Sequence, residues 1–244
     1  MLNKENCIYH YTSIETFALI LDSKKIRFNS LGKVNDLDEA ETKDMADFGK
    51  YCLVSCWTKS VEESIPLWNM YTPGMKGVRI GLPSDMFNTS FDPNEKEDRK
   101  NKLHQLFKVE PSPLPYPDFF DVEYGDTNRN IMQNNGLNGD VLGRTKNPAW
   151  SFEKECRFRL FLIPHNNKTR FANLSQFNFA WQNSDKVNNP KEVCDFSLRG
   201  EIIKEMEIIL GPKTSAAERI IIEALAEKND INKKQISKSS LRIR

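Results

Sequence analysis

The sequence predicts an α+β fold. Strand-forming runs recur along the chain, helical periodicity is confined to a few short stretches, and the two do not alternate as a regular βαβ array requires.

Cys7 to Tyr11 reads as a short strand. Thr12 and Glu15 follow at capping-box spacing ahead of Ile14, Phe17, Ala18 and Leu21, so a helix is expected to start there. It should end near Ser23, because Lys24 to Phe28 returns to strand formers and Asn29, Ser30 and Gly32 favour a turn. Asn35 and Asp36, with Glu39 beyond them, suit a further capped turn. Tyr51 to Trp57 and Gly77 to Leu82 read as strands. Between them lies a short helix with Pro66 in its first turn and Leu67, Met70 and Tyr71 on one face.

Residues 84–149 change character. Asp92 to Lys102 is heavily charged, four prolines lie between Pro111 and Pro117, and Asn128 to Gly143 is rich in Asn and Gly. An inserted helix edged by Leu103, Leu106 and Phe107, with long loops, is expected. Glu155 to Ile163 is a strong strand. A polar excursion follows within 165–199, with Phe171, Phe177, Phe179 and Trp181 placed to cover a cleft. Ile202 to Leu210 reads as a strand, Ser215 and Glu218 form a capping box before Ile221, Ala224 and Leu225, and Gln235 to Ile243 is the last strand candidate.

A chain of 244 residues suits one domain, 1–244, with insertions at 84–149 and 165–199. Its net charge of +1 makes no electrostatic case for a nucleic-acid or membrane partner. The basic tail, Lys233, Lys234, Lys238, Arg242 and Arg244, reads as a solvated end. No apolar run approaches the ~20 residues of a membrane span, the N-terminus lacks a signal-like core, and five cysteines without Cys-x-x-Cys suit a reducing compartment. A cytoplasmic protein is the expectation, with Cys52 and Cys56 in its core.

Several chemistries lack their motifs. There is no Gly-x-Gly-x-x-Gly turn, no Gly-x-Ser-x-Gly elbow and no His-Glu-x-x-His. Gly211-Pro212-Lys213-Thr214 is a turn rather than a phosphate loop. His10, His104 and His165 do not stand at ligand spacing, so no metal site is expected.

Three separated segments carry the remaining chemistry: Tyr9-His10-Tyr11-Thr12, Trp68-Asn69-Met70-Tyr71 and Phe152-Glu153-Lys154-Glu155-Cys156-Arg157. His10 and Thr12 could hold a ribose between them, or could simply fill a polar corner and cap a helix. Read as one strand, Glu153, Glu155 and Arg157 share a face, with Phe152, Cys156, Phe158 and Leu160 opposite. That charged face is either a site or an ion-pair ladder in solvent. Tyr71 is either a ring over a leaving base or, with Leu67 and Trp68, helix packing.

These segments, with Asn35-Asp36, Glu39, Ser55-Cys56-Trp57, Gly77-Val78, Ile80-Gly81, Trp150 and Ile208-Ile209-Leu210-Gly211-Pro212, resemble a widespread uncharacterised bacterial family. That family in turn resembles ADP-ribosyltransferases of the His/Tyr/Glu type, including bacterial toxins that modify nucleic acid. The resemblance implies two small twisted sheets with flanking helices, split by a cleft, and the N-terminal strand beside the Glu155 strand at its floor. It implies NAD as substrate, cleaved at the nicotinamide N-glycosidic bond. Glu155 would act on the nicotinamide ribose and Glu153 would orient the acceptor. His10 and Thr12 would hold the other ribose and Tyr71 would stack on nicotinamide, with Trp68 as its competitor. Tyr11, Ser55 and Arg157 complete the dinucleotide-binding set. Tyr11 departs from the pattern, since many such transferases carry glycine there. A toxin or phage-defence effector acting on a protein or nucleic-acid acceptor is the leading expectation; a NAD hydrolase and a catalytically silent binding module stand beside it.

Overall fold

A computed structural model describes residues 6–45, 48–87, 109–111, 117–127, 129–133, 136–137, 141–164 and 192–243. β1 (Cys7–Thr12), helix α1 (Ile14–Ser23) and β2 (Lys25–Ser30) open the chain. β3 (Cys52–Thr58), α2 (Ile65–Tyr71) and β4 (Val78–Pro83) follow. Short strands come next: β5 (Val109–Pro111), β6 (Asp118–Asp121), β7 (Glu123–Tyr124), β8 (Met132–Gln133), β9 (Gly136–Leu137) and β10 (Thr145–Lys146). β11 (Glu155–Pro164), β12 (Val193–Ser197), β13 (Glu207–Leu210), α3 (Ala216–Lys228) and β14 (Ile236–Lys238) complete them. Among the described residues strands outnumber helices and the main sheet pairs almost wholly antiparallel, so the α+β class holds.

Ten strands join in one sheet that branches at β3. One edge of β3 pairs antiparallel with β11, from Thr58↔Glu155 to Cys52↔Phe161. The other edge is divided. β2 takes its beginning, through Asn29↔Val54 and Ser30↔Leu53, and β1 takes its end, through Tyr9↔Thr58. From β1 the sheet continues through β4 and β13 to β14, and β2 carries β12. The strands thus form one branched sheet rather than two separate ones, because β1 and β2 share a single β3 edge and diverge from it. β1 and β11 are not neighbours: β3 lies between them, so Tyr9, Thr58 and Glu155 form one row across three strands.

One face carries Ile8, Leu53, Val78, Ile80, Cys156, Phe158 and Leu160 into the main core, closed by Phe17, Ile20 and Leu21 of α1 and by Ile222 and Ala226 of α3. Burying each such large apolar side chain is worth roughly 1.5–3 kcal/mol. On the other face Leu31, Ala40, Tyr51, Cys52, Val54 and Phe161 form a second cluster, and Tyr11, Leu67, Trp68 and Met75 a third.

Local chemistry sets the boundaries. Ser13, not Thr12, caps α1, accepting from the Thr16 amide at 3.1 Å. Thr12 stays in β1 opposite Val78 because the chain packs closely there: a Cβ on Gly77 would lie 2.1 Å from the Thr12 carbonyl oxygen. The Ser215–Glu218 capping box of α3 forms as expected, but the helix buries Ile222 and Ala226 while Ile221 is exposed. Ile202–Glu205 is a 3-10 turn rather than strand, which lets the adjacent Ile202 and Ile203 both point inward. The final strand shortens to three residues, and Lys233, Lys234, Lys238 and Arg242 are exposed.

The expected insertions are not merely surface loops. β6 pairs with β11 from Asp118↔Arg159 to Asp121↔Cys156, and β12 pairs with β2. The charged helix expected around Leu103, Leu106 and Phe107, the residues His104 and His165, and the aromatics Phe171, Phe177, Phe179 and Trp181 lie outside the described residues. No described helix is long and apolar enough to cross a membrane.

Candidate active site

Where β1 and β2 diverge, the ladders leave Ser55, Cys56 and Trp57 without a strand partner on that edge of β3. The His10 ring enters the gap. Its Nδ1 lies 2.8 Å from the Cys56 carbonyl oxygen, which can only accept, so Nδ1 carries the proton and Nε2 is the acceptor of the neutral ring. Burial holds His10 below its usual value, against the pull of the Cys56 carbonyl. The Trp57 ring stands 5.1 Å away and is itself fixed by an indole bond to Ser55 Oγ at 3.0 Å.

Two cavities meet this gap. A cleft of about 480 Å³ has His10, Asn35, Ser55, Lys146 and Arg157 in its wall. A narrower cavity of about 60 Å³ is lined by Tyr11, Leu67, Glu153 and Glu155, among others. His10, Cys56 and Tyr71 line both.

The carboxylates belong to a buried network. Arg157 grips Glu155 through Nε, at 2.5 Å to Oε1, and Nη2, at 3.0 Å to Oε2. The same guanidinium is bidentate to Glu39, with Nη2 at 3.0 Å from Oε1 and Nη1 on Oε2, and Nη1 also donates to the Gly143 carbonyl at 3.0 Å. Lys146 Nζ lies 2.5 Å from Glu153 Oε2, 3.2 Å from Glu155 Oε2 and 3.7 Å from Glu39 Oε1. All five side chains are at most 4% exposed. Three carboxylates therefore face two cations, an excess of one negative charge when all three are ionised; burial pushes Glu39 above its ordinary value against the pull of Arg157 and Lys146. The Tyr71 hydroxyl donates to Glu153 Oε1 at 2.6 Å.

These contacts divide the two glutamates. Burial would raise Glu155, but Arg157 and then Lys146 hold it down at about 2. Glu153, beyond reach of the guanidinium, is pushed above its ordinary value by burial and by the Glu155 charge. Burial and the neighbouring Glu153 also raise Tyr71, so its phenol remains a donor. Such a pair, one firmly ionised and one poised to take a proton, is the arrangement acid–base chemistry uses.

The structure sorts the sequence expectations. Glu153 and Glu155 do meet, though not as strand neighbours. Glu153 ends a 3-10 turn, Pro148–Glu153, and Lys154 in the left-handed region (φ 45°) swings the chain into β11 at Glu155. Phe152 is consequently 38% exposed instead of lining the buried face. The solvated ion-pair ladder is excluded by the burial of the cluster. Thr12 and Trp68 line neither cavity. Trp68 is fully buried, its indole donating to Glu63 Oε2 at 3.0 Å, and it packs edge-on against Tyr11 at 4.8 Å. Tyr71 faces the cavities and Met70 faces solvent, so the expected Leu67–Met70–Tyr71 face is split. Tyr11 lines the narrow cavity while its hydroxyl accepts from the Ser64 amide at 3.0 Å. Cys52 is core as expected, but Cys56 belongs to the site, its thiol bonded to Glu155.

Two members were not expected. Glu39 was read only as part of a capped turn. Asp36 does cap that turn, at 3.2 Å to the Asp38 amide, and this aims Glu39 at Arg157. Lys146 lay in a supposed insertion with no motif around it.

Residues 67–158 match a family described as a protein of unknown function (DUF2971). That span begins at α2 and ends within β11, and so contains Tyr71, Lys146, Glu153, Glu155 and Arg157 but neither His10 nor Glu39. No curated protein matches the chain, and no solved structure does.

Proposed function

We propose that this chain is a NAD-dependent ADP-ribosyltransferase whose site lies at the β3 split. The observation that carries the reading is the convergence of His10, Tyr71, Glu153 and Glu155 on one cavity from four separate elements. The divergence of β1 and β2 from β3 supports an ADP-ribosyltransferase-like arrangement, and the adjoining cleft of about 480 Å³ is within the ordinary size range of ligand sites.

In this reading Tyr71 stacks on the nicotinamide and the excess negative charge of the cluster favours the cationic ring. Cleavage of the ribose C1′–N bond leaves its electron pair on nicotinamide and positive charge on the sugar. Glu155 stabilises that charge through a ribose hydroxyl. The acceptor adds to C1′, and its proton passes to Glu153, the carboxylate with the higher proton affinity. Glu153 has room for this, since among the described residues Tyr71 and Lys146 are the side chains that occupy its oxygens.

A second reading, a silent binding module, draws on one observation. Three N–H donors already occupy Glu155, out of about four acceptor positions a carboxylate offers. The Cys56 thiol and a ribose hydroxyl would compete for the last. Incubation of purified protein with adenylate-labelled NAD and cell extract separates the readings. Label transfer supports the transferase, nicotinamide release without transfer supports a hydrolase, and neither leaves the binding module.

A further inference from the structure

Lys146 lies outside every motif of the sequence, yet it is the hub of the buried cluster. It ends β10, a two-residue strand that pairs with β7 apart from the main sheet, and Asn147 then caps the turn that delivers Glu153. The Trp150 ring stands 4.6 Å from Nζ, so the ammonium is enclosed between an aromatic ring and carboxylates.

The division of contacts between the two cations is unequal. Arg157 serves Glu39, Glu155 and a backbone carbonyl. Among the described residues, the ion pairs of Glu153 involve Lys146 alone. Without the ammonium, Glu153 would keep, among the described residues, the Tyr71 hydroxyl alone while facing the charge of Glu155 at a buried position. Two buried carboxylates in that position cannot both remain ionised, and they share a proton instead.

We propose that Lys146 is the positioning residue of the Glu153–Glu155 pair: its ammonium, wedged between the two carboxylates, holds them in one arrangement and lets both stay charged. The inference rests on the transferase reading for its catalytic meaning, but its electrostatic content stands on the contacts alone. The groups facing Lys146 are Glu39 from the turn after β2, Glu153 from the turn before β11, Glu155 from β11 itself and Tyr124 of β7. Tyr124 is the register partner of Lys146; its hydroxyl accepts from the Glu155 amide at 2.7 Å, and burial keeps the phenol protonated. Arg157 lies behind Glu39 and Glu155, and Tyr71 of α2 and Cys56 of β3 reach Glu153 and Glu155 respectively. Lys146 is the member whose removal alters the balance at Glu153 directly.

The test compares the wild type with Lys146→Met and Lys146→Arg by two readouts: NAD turnover against pH, and carboxyl ¹³C NMR titration assigned through Glu153→Gln and Glu155→Gln. In Lys146→Met the acid limb of turnover should move up by about one pH unit or more, a loss of about tenfold or more at a fixed pH on that limb, and the Glu153 resonance should titrate correspondingly later. Lys146→Arg should return both toward the wild type. A folded Lys146→Met whose limb and carboxyl titrations stay at wild-type positions overturns the proposal. If Lys146→Met does not fold, Lys146→Met/Glu153→Gln keeps the charge balance and should fold; its failure to do so would make Lys146 a packing element and also overturn the proposal. A wild type without NAD turnover removes the transferase reading, and the NMR titration then decides the Lys146 inference separately.

Discussion

The Tyr71 hydroxyl and Glu153, 82 positions apart in the chain, meet at 2.6 Å. This bond ties α2 to the turn before β11, and thereby fixes an aromatic ring, 36% exposed, beside a buried carboxylate. Asn35 extends the contact, its amide 3.4 Å from the phenol oxygen. One side chain thus offers a face to a ligand and a proton donor to a glutamate.

Tyr71→Phe keeps the ring and removes the donor. A hydrogen bond to a charged group is worth about 1.5–3 kcal/mol, so Glu153 should hold its proton to higher pH and the acid limb of turnover should move up by roughly one to two pH units. NAD affinity should change little. Steady-state kinetics over pH, with KM and kcat separated, checks this; a raised KM with kcat unchanged at every pH would assign the phenol to binding alone.

Glu155→Gln affects folding as well as chemistry. A surface glutamine exchange would move stability by less than about 0.5 kcal/mol, but here it strips a buried guanidinium and ammonium of a partner, a change that costs about 3–5 kcal/mol. Thermal unfolding should register this alongside any loss of turnover, so lost activity in this variant is interpretable only with its folded fraction measured.

The same carboxylate gives that loss a pH signature. Glu155 sits at about 2 in the fold against an ordinary 4.5, so its contribution is present above 4.5 and disappears as pH falls toward 2. The contribution is on the order of 3 kcal/mol at neutral pH. The gap in stability between wild type and Glu155→Gln should therefore be constant from neutral pH to about 5 and close below it. A gap unchanged at pH 3 would show that Glu155 is not held ionised by Arg157 and Lys146.

Much of this site was legible in the sequence because its cavity-lining residues sit in dense local motifs. His10 follows a strand pattern, Tyr71 follows Pro66 at helical spacing, and Glu155 opens the strongest strand. The supporting residues were not legible. Glu39 and Lys146 reach the cluster through tertiary contacts 118 and 9 positions from their arginine and glutamate partners, and neither stands in a pattern that distinguishes it from a surface charge. Glu153 was grouped correctly for the wrong reason, since a left-handed Lys154 rather than strand alternation brings it to Glu155. The branch of the sheet was invisible too, because hydrophobic alternation specifies which face a residue takes but not which edge of β3 two strands will divide.

Trp68 and Tyr71, adjacent turns of one short helix, should behave oppositely. Trp68→Phe removes the indole donor to Glu63, which also accepts from Ser239 Oγ at 2.6 Å and the Ser240 amide at 2.7 Å. Stability should drop by about 1–3 kcal/mol with ligand affinity largely retained. Tyr71→Ala, at a half-exposed position, should lose affinity with a smaller change in unfolding temperature. Paired thermal melts and NAD titrations decide it, and a Trp68→Phe protein that is stable but cannot bind would exchange the roles of the two rings.

The excess negative charge beneath Tyr71 predicts a preference between the two redox forms of the dinucleotide. Oxidised nicotinamide carries a positive charge on its ring and the reduced form does not, so a site with three buried carboxylates against two cations should favour the oxidised one. At about 100 times its dissociation constant a ligand stabilises the fold by about 2.7 kcal/mol, which for a chain of this size raises the unfolding midpoint by roughly 5–10 °C. Tenfold weaker binding of the reduced form, about 1.4 kcal/mol, would lower that rise by roughly 3–5 °C. ADP-ribose, which lacks the ring altogether, should give less than the oxidised dinucleotide, and Glu153→Gln, which removes the excess charge, should narrow the gap between the two redox forms. Equal shifts for all three ligands in the wild type would place the recognition on the adenosine and phosphate portions and remove the cationic ring from the argument.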